Sequence, residues 1–381
     1  MDSMPLTILQ IASSSSMTGE AGHVFSLSRG LIERGHRVLI GCRSIKKGKP
    51  VDVMLQEARK VEGAEVFPLN LVKGISLRYD LADLGTLDRL CRNNPELRIV
   101  HAHRSKEHWL AMLLRRRYPY LRVVRTRHVT TRTRPHILNR RLYRNTDAVI
   151  ATSTAIRDGL ATSGILPAES ISVLHGGVDA KRFHPGISGE PFRQELGVDM
   201  DVPLVVAVGH LDRVKGYDVL VRAFREVHRA FPAARLVIVG EEHEVRREDL
   251  MNLAAELDIA DRVHLPGRRE DIPVIMAAST VGVISSVGSE GNSRVALEFM
   301  ATGKPVVSTT VGCLPDLIRD NETGILVAPG DSDAPAQGIL RILEAPEMGR
   351  AFGKAGRKLV ETTYTEESAA ERVEGIYLGL F

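Results

Sequence analysis

Long apolar runs, clustered cysteines and aromatic side chains are what this chain has least of. No stretch approaches the roughly 20 consecutive apolar residues that a membrane-spanning helix needs. The amino terminus, MDSMPLTILQIASSSS, places an aspartate where a secretory leader places positive charge, and its apolar run is short. A soluble, cytoplasmic protein is the expectation. Cysteine occurs three times in 381 residues, at Cys42, Cys91 and Cys313. The number is odd, the spacing is wide, and no C-x-x-C or Cys/His cluster has zinc spacing, which reads as free thiols in a reducing compartment. Acidic residues are missing altogether between Glu107 and Asp147. Into that gap fall Arg115, Arg116, Arg117, Arg122, Arg125, Arg127, Arg132, Arg134, Arg140, Arg141 and Arg144. Within a net charge of only +4, this local excess points to an anionic partner: a lipid headgroup, a phosphorylated sugar or a nucleic acid. A single-stranded nucleic acid would also need a set of stacking aromatics. Only Tyr118, Tyr120 and Tyr143 stand among these arginines, which counts against a non-enzymatic nucleic-acid binder.

What is present is a globular composition, 43% hydrophobic and 26% charged, in a chain long enough for two ordinary domains. Short β-branched runs alternate with amphipathic segments of helix length. The strand candidates are 7–11, 37–41, 65–68, 98–101, 122–126 and 148–152, then 204–208, 235–239, 263–265, 281–284, 306–308 and 324–327. Apolar runs of this length with helices between them are buried parallel strands in βαβ units. The fold class is therefore α/β, with two doubly wound, Rossmann-like sheets of six strands each. Gly and Pro interrupt the alternation in LHGGVDAKRFHPGISGEPF, residues 174–192. That places a first domain at 1–180, a second at 186–363, and a terminal helix at 364–381 packing back on the first. Two such sheets facing across a cleft bind ligands at the carboxyl ends of their strands.

Two stretches carry candidate chemistry. In GSEGNSRVALEFMATGKPVV, residues 288–307, Glu290 leaves a strand and Glu298 lies inside a helix that Ser293 or Asn292 can cap. The amides from Gly291 to Arg294 then form a helix amino terminus, which favours a diphosphate. By spacing alone, Glu298 on a solvated face and Glu290 as ordinary loop polarity read equally well. In VVAVGHLDRVKGYDVLVRAF, a strand delivers Arg213 and Lys215 ahead of a helix starting near Gly216, where they could neutralise a phosphate. The first half offers Gly19 and Gly22 in a loop that follows strand one and leads into a helix from about Ala21. His128 lies past one strand end, with His101 and His103 past the preceding one. RPHILNRRLYR, with Ile137, Leu138, Leu142 and Tyr143 as its apolar side, suits an interfacial helix and a plain surface helix equally.

In order along the chain, VIATSTAIRDGL, VLHGGVDAKRFHP, VGHLDRVKG, LVIVGEE, VHLPGRREDI, EGNSRVALEFMATGKPVV and VGCLPDLIRDNETGILVAPGD resemble the retaining GT-B glycosyltransferases called family 4, over residues 145–331 above all. The resemblance implies that Glu298 holds ribose hydroxyls and Glu290 holds hydroxyls of the donor sugar. It puts Lys215 on the diphosphate, with the amides of Asn292, Ser293 and Arg294 after Gly291 completing the cradle. The loop at Arg268 would meet the nucleobase. Gly19 would lie closest to the chemistry on an acceptor and phosphate loop, and His128, or His103 after it, near the donor sugar. Three positions depart from the family pattern. His210 stands where an arginine is usual, with Arg213 as its stand-in; Asn292-Ser293 replaces Phe-Gly; and Cys313 replaces a glycine.

The D-x-D pairs Asp199–Asp201 and Asp331–Asp333 read as loop polarity, so no metal and no cofactor is expected. The implied function is retaining transfer from a nucleotide sugar, a UDP-sugar favoured over GDP- or ADP-sugars. The implied acceptor is a cell-envelope glycan or glycolipid, of lipopolysaccharide-core type more than of sucrose or starch type. Peripheral contact with the anionic inner face of the plasma membrane would follow. The alternatives are a sugar-nucleotide epimerase or phosphorylase, and a non-enzymatic anion binder.

Overall fold

The computed structural model describes residues 5–14, 18–46, 49–131 and 133–381. The chain divides into two compact units, residues 1–177 with 366–381, and residues 178–365.

In the first unit seven parallel strands form one sheet: β1 (Thr7–Ala12), β2 (Arg37–Arg43), β5 (Glu65–Leu69), β6 (Leu97–Ala102), β7 (Arg122–Arg127), β8 (Ala148–Ala151) and β9 (Ile171–Val173). Their order is β5-β2-β1-β6-β7-β8-β9. A small antiparallel pair, β3 (Ile45–Lys46) and β4 (Lys49–Pro50), stands apart. The seventh strand corrects the expected six. Its three residues, Ile171, Ser172 and Val173, are too few to show as an apolar run, yet they extend β8 in register. Both faces of the sheet are covered by apolar side chains. Ile8, Ile40, Ile99 and Val124 pack on one side, and Leu9, Leu39, Val100 and Val123 on the other, as the period of two in a doubly covered sheet requires.

The last helix, Glu366–Leu378, lies on the first, Gly19–Glu33. A side chain on Gly30 would collide with Ala370, so the two backbones meet closely. Arg29 pairs with Glu366 at 2.6 Å, and the buried Glu374 accepts from His36 at 2.8 Å.

The second unit has six parallel strands: β10 (Leu204–Val208), β11 (Arg235–Val239), β12 (Val263–Gly267), β13 (Val281–Ile284), β14 (Val306–Thr309) and β15 (Gly324–Val327). Their order is β12-β11-β10-β13-β14-β15. In each sheet the order reverses beside one strand, next to β1 in the first and β10 in the second. Loops leaving the carboxyl ends of neighbouring strands diverge there and open a crevice.

Candidate functional site

In the second unit the crevice lies between β10 and β13. After β10 the chain turns through a short 3-10 segment, Arg213–Lys215, into the helix Tyr217–Ala230. Gly216, the residue expected to start that helix, instead caps it with φ at +63°, a left-handed conformation that favours glycine. The two loops are stitched together: Ser285 Oγ donates to the Lys215 carbonyl at 2.8 Å, and the Val287 amide to the Val214 carbonyl at 2.9 Å. This fixes Lys215 against the loop after β13, where its ammonium pairs with Glu290. Ser286 Oγ donates to the same carboxylate oxygen at 2.7 Å. Glu290 is buried, and its own carbonyl accepts the Cys313 amide at 2.8 Å.

Two of the amides expected to cradle a diphosphate, those of Ser293 and Arg294, are engaged within the chain. Ser293 heads the helix Arg294–Ala301 but makes no side-chain cap, which corrects the expected capping bond. Its amide donates to Cys313 Sγ at 3.2 Å, and the Arg294 amide to the Asn292 carbonyl at 3.2 Å. Cys313 thus serves as a hydrogen-bond acceptor. Burial, with Glu290 nearby, raises its thiol well above the usual range. Two side-chain atoms here are buried without a partner, Asn292 Nδ2 and Arg294 Nε. Glu298 sits one turn along the helix, its side chain 12% exposed and 3.6 Å from Arg294. Burial raises its pKa, and Arg294 and Arg182 pull it back in part. The reading of Glu298 as a residue of a solvated face does not hold.

Further out, Arg213 is exposed, its amide donates to Glu244 at 3.3 Å, and its guanidinium has no ion pair among the described residues; His210 is exposed with its ring 6.4 Å from that of His243. Arg268 is exposed, whereas its neighbour Arg269 is clamped by Glu195 and Asp271 at 2.7 and 2.8 Å.

In the first unit the helix begins at Gly19, two residues before the expected Ala21, because Thr18 Oγ1 accepts the Ala21 amide at 3.3 Å. Gly19 is exposed and Gly22 buried, and both are helical. The preceding Ser15–Met17 lie outside the described residues, as does Arg132. His128 and His103 come together: His128 Nε2 is 2.9 Å from His103 Nδ1, with the rings stacked 5.2 Å apart. The chain continues from His103 Nε2 to Gln10 Oε1 at 2.8 Å, and from Gln10 Nε2 to the Tyr377 hydroxyl at 3.3 Å. It ends through His101, 2.6 Å from Tyr377 and 2.7 Å from Thr126 Oγ1. Burial, and then the neighbouring cations and imidazoles, push all three histidines well below their ordinary range, so they are neutral. With the Gln10 carbonyl facing His103, His103 accepts from His128 Nε2–H. That leaves His128 Nδ1 bare, buried and without a partner.

His128 borders a cavity of about 1230 Å³ that also takes in Ser13, Glu20, Arg104, Arg125, Arg127 and Tyr143. Its frame is rigid. The buried carboxylate of Glu107 accepts the amides of Ser13, His103 and Arg104, and Arg104 reaches Glu20 at 2.7 Å. Opposite, Asp83 takes the amides of Asn70 and Leu71 at 2.7 and 2.9 Å. This holds Leu71 at a φ of +43°, which is rare for a side-chain-bearing residue. Gln10, Glu20 and Tyr377 were not picked out from the sequence, and Tyr143 was read only as an aromatic on the apolar side of its helix. Gln10 carries the one legible signal, a polar residue inside the apolar run LTILQIA.

The basic segment divides as well. In the helix Ile137–Arg144, Leu142 and Tyr143 are buried while Ile137 is 79% and Leu138 57% exposed, so its apolar residues face two ways, not one. Leu138 and Arg141 border a second hollow of about 500 Å³ with Trp109, Leu113, Arg115 and Arg116. No helix among the described residues is long and apolar enough to cross a membrane.

Two family models match the chain: one described as glycosyl transferases group 1 over residues 189–359, the other as glycosyltransferase family 4 over residues 17–182. Among curated proteins, the D-inositol 3-phosphate glycosyltransferase of Segniliparus rotundus is 39% identical over 196 residues, covering 49% of this chain and 42% of that one. The alpha-maltose-1-phosphate synthase of Mycolicibacterium smegmatis is 32% identical over 247 residues, covering 61% and 62%. Both matches span less than two thirds of the relative's length. The D-inositol 3-phosphate glycosyltransferase of Actinosynnema mirum is 30% identical over 366 residues, covering 88% and 87%. In fold, the chain is similar to the Anabaena protein HepE solved with UDP, with a TM-score of 0.83 at 20% identity over 98% of this chain and 100% of that one.

Proposed function

The chain belongs to the group 1 and family 4 glycosyltransferases, enzymes of GT-B fold, and from that premise we propose that it moves a sugar, with retention, from a nucleotide sugar to a cell-envelope glycan or glycolipid. The observation that carries the reading is the Lys215–Glu290 pair at the β10–β13 crevice, beside the unpartnered Asn292 Nδ2 and Arg294 Nε. A donor entering there gives Lys215 a diphosphate to neutralise and frees Glu290 for hydroxyls of the transferred sugar, while Glu298 takes the ribose hydroxyls. The diphosphate also displaces Cys313 and the Asn292 carbonyl from the amides of Ser293 and Arg294.

In the reaction the bond between the anomeric carbon and the diphosphate oxygen breaks, and the acceptor hydroxyl forms its bond on the same face. A leaving phosphate oxygen takes the hydroxyl proton. Lys215, with Arg213 at the rim, neutralises the negative charge that develops. No covalent carboxylate intermediate and no metal are part of this reading. His128, a neutral imidazole with a bare Nδ1, accepts a hydrogen bond from a sugar hydroxyl. The acceptor is met at an anionic membrane face, where the hollow bordered by Trp109, Leu113 and Leu138 offers apolar side chains between Arg115, Arg116 and Arg141.

The test is a thermal-shift panel of UDP-, GDP- and ADP-sugars, with UDP-sugars expected to stabilise most. Glu298→Ala should weaken donor binding by roughly 1.5–3 kcal/mol, the scale of a charged hydrogen bond. An unchanged affinity removes the helix Arg294–Ala301 from the donor site. Turnover with water or phosphate in the absence of any acceptor would move the enzyme to the epimerase and phosphorylase class.

A further inference from the structure

The first unit's cavity has an unusual charge balance. Seven cationic side chains border it, and Glu20 is the single carboxylate among its bordering residues. Arg104 is matched by Glu20, and Lys106 by Asp80 from outside the wall. Seven less two leaves five cations with no carboxylate partner among the described residues: Arg43, Lys73, Arg125, Arg127 and Arg134.

Two of these are not surface charges. Arg125 and Arg127 alternate along β7 onto one face of the sheet and are 2% and 7% exposed. Their hydrogen-bond partners are all neutral, although Arg125 also acts on the Glu20 carboxyl that Arg104 holds. Arg125 donates to the carbonyls of Thr126 at 2.9 Å and Ala102 at 3.3 Å, Arg127 donates to the Thr131 carbonyl, and both reach the Tyr143 hydroxyl. Arg125 Nε has no partner at all. Burial lowers the Arg127 guanidinium from its ordinary range. Arg43 is lowered by burial and by the facing Arg104. Burial alone would raise the Tyr143 hydroxyl, but the two guanidiniums beside it outweigh that and bring it below the usual range.

A buried cation without a counter-charge costs several kcal/mol, and a fold keeps such groups together where a ligand supplies the missing charge. The planar guanidinium fork suits phosphate oxygens in particular. Lys73 and Arg134 are exposed at the mouth, Lys73 on the loop that Asp83 holds in its strained turn. Bare His128 Nδ1 adds a site for a hydroxyl rather than for an anion. The wall thus offers a cationic floor and a neutral hydroxyl acceptor in one cavity.

We propose that this cavity binds a phosphate group carried on a polyol or sugar, seated on Arg125, Arg127 and Tyr143, and that this phosphorylated compound is the acceptor. The proposal rests on the glycosyltransferase reading for the word acceptor, and on the cavity alone for the phosphate. Binding is therefore measured without any donor, by calorimetric titration of the full-length protein with inorganic phosphate, glucose 6-phosphate and glucose. Glucose 6-phosphate should bind saturably and more tightly than glucose. Arg127→Met, which keeps the packing volume, should weaken it on the order of ten- to a hundredfold, the worth of one charged hydrogen bond. Because Arg127 is buried, the exposed double variant Lys73→Gln/Arg134→Gln is run beside it and should lose several-fold. UDP affinity should be unchanged in both.

Vesicles of phosphatidylinositol in phosphatidylcholine separate the sources. Competition with glucose 6-phosphate assigns the phosphate to a lipid headgroup, and no competition assigns it to a soluble compound. Equal binding of glucose and glucose 6-phosphate, or phosphate affinity untouched in both variants, would overturn the proposal, as would an equal loss of UDP affinity. Phosphate binding that follows the expected order in a protein that transfers no sugar would sink the glycosyltransferase reading and leave the site standing.

Discussion

Charge is managed in opposite ways at the strand ends of the two sheets. Beside β10 and β13, Lys215 has Glu290, and Arg294 has Glu298 at longer range, so the crevice is close to neutral without a ligand. Beside β6 and β7, Arg125 and Arg127 are held by carbonyls and a tyrosine hydroxyl, and their positive charge stays uncancelled. A neutralised pair costs the empty protein little, and a ligand must break the pair open to use it. An uncancelled cluster strains the empty protein and is relieved by an anion. The first arrangement suits a group gripped strongly only as its charge develops, and the second a group whose charge is present from the start.

The largest effect that would test the first half of this contrast is at Lys215. Lys215→Ala should cut turnover by on the order of a hundredfold, the scale of removing one transition-state donor. Donor affinity should fall much less, because Lys215 is paired before the donor arrives. Activity should persist in EDTA. Loss on chelation that magnesium or manganese restores would bring Asp199–Asp201 or Asp331–Asp333 into the mechanism as a metal site.

A smaller effect concerns Glu20, the lone carboxylate at the cationic cavity. Burial is the main reason its pKa rises, and the Glu107 carboxylate adds to this. Arg104 and Arg125 lower it in part, to a net value of about 7. The protonated form is the one that fits the fold. Its contribution is therefore full below the ordinary carboxylate range near 4.5 and is lost as pH rises through about 7, on the order of 3 kcal/mol in all. Denaturant titrations at pH 5 and pH 8 should show the wild type losing stability and Glu20→Gln losing little. If both proteins respond equally to pH, the carboxylate is already ionised against Arg104, and the cavity holds the five uncancelled cations and not a sixth.

The two regions were also unequally legible. The second-unit groups lie in two short runs, 209–216 and 285–298, so their order in the sequence already placed Lys215, Glu290 and Glu298 at adjacent strand ends. What spacing could not show was that Lys215 and Glu290 bind each other, or that Cys313 takes the Ser293 amide. The strands were readable as apolar runs, apart from three-residue β9 and the two-residue pair β3 and β4. The first-unit cavity draws on Gln10, Glu20, Asp83, Arg104, Tyr143 and Tyr377, which only the fold assembles. In RVVRTR, the alternation of Arg125 and Arg127 within an otherwise buried strand was the available signal. Counting those arginines with the helical ones hid it.

That grouping of eleven arginines sets up the smallest expected effect. Arg125 and Arg127 are buried in the cavity wall, whereas Arg140, Arg141 and Arg144 are exposed on the helix Ile137–Arg144, close to the exposed Ile137 and Leu138. If the first set reads a phosphate and the second docks on an anionic surface, they must separate experimentally. Each exposed cation that reaches an anionic bilayer contributes about 1 kcal/mol, and the effect fades within a Debye length as salt rises. Arg140, Arg141 and Arg144 changed together to glutamine should weaken co-sedimentation with phosphatidylglycerol vesicles at low salt, and much less at high salt. Transfer to a lipid-linked acceptor should slow with it, while glucose 6-phosphate and UDP affinities stay unchanged. Arg127→Met should do the reverse, with normal sedimentation and lost phosphate binding. Should the triple variant sediment normally, the helix is an ordinary surface element and the hollow at Trp109 and Leu138 has no membrane role. Should it lose phosphate affinity as well, the arginines form one continuous anion-binding site, and the division between buried and exposed cations is not a division of function.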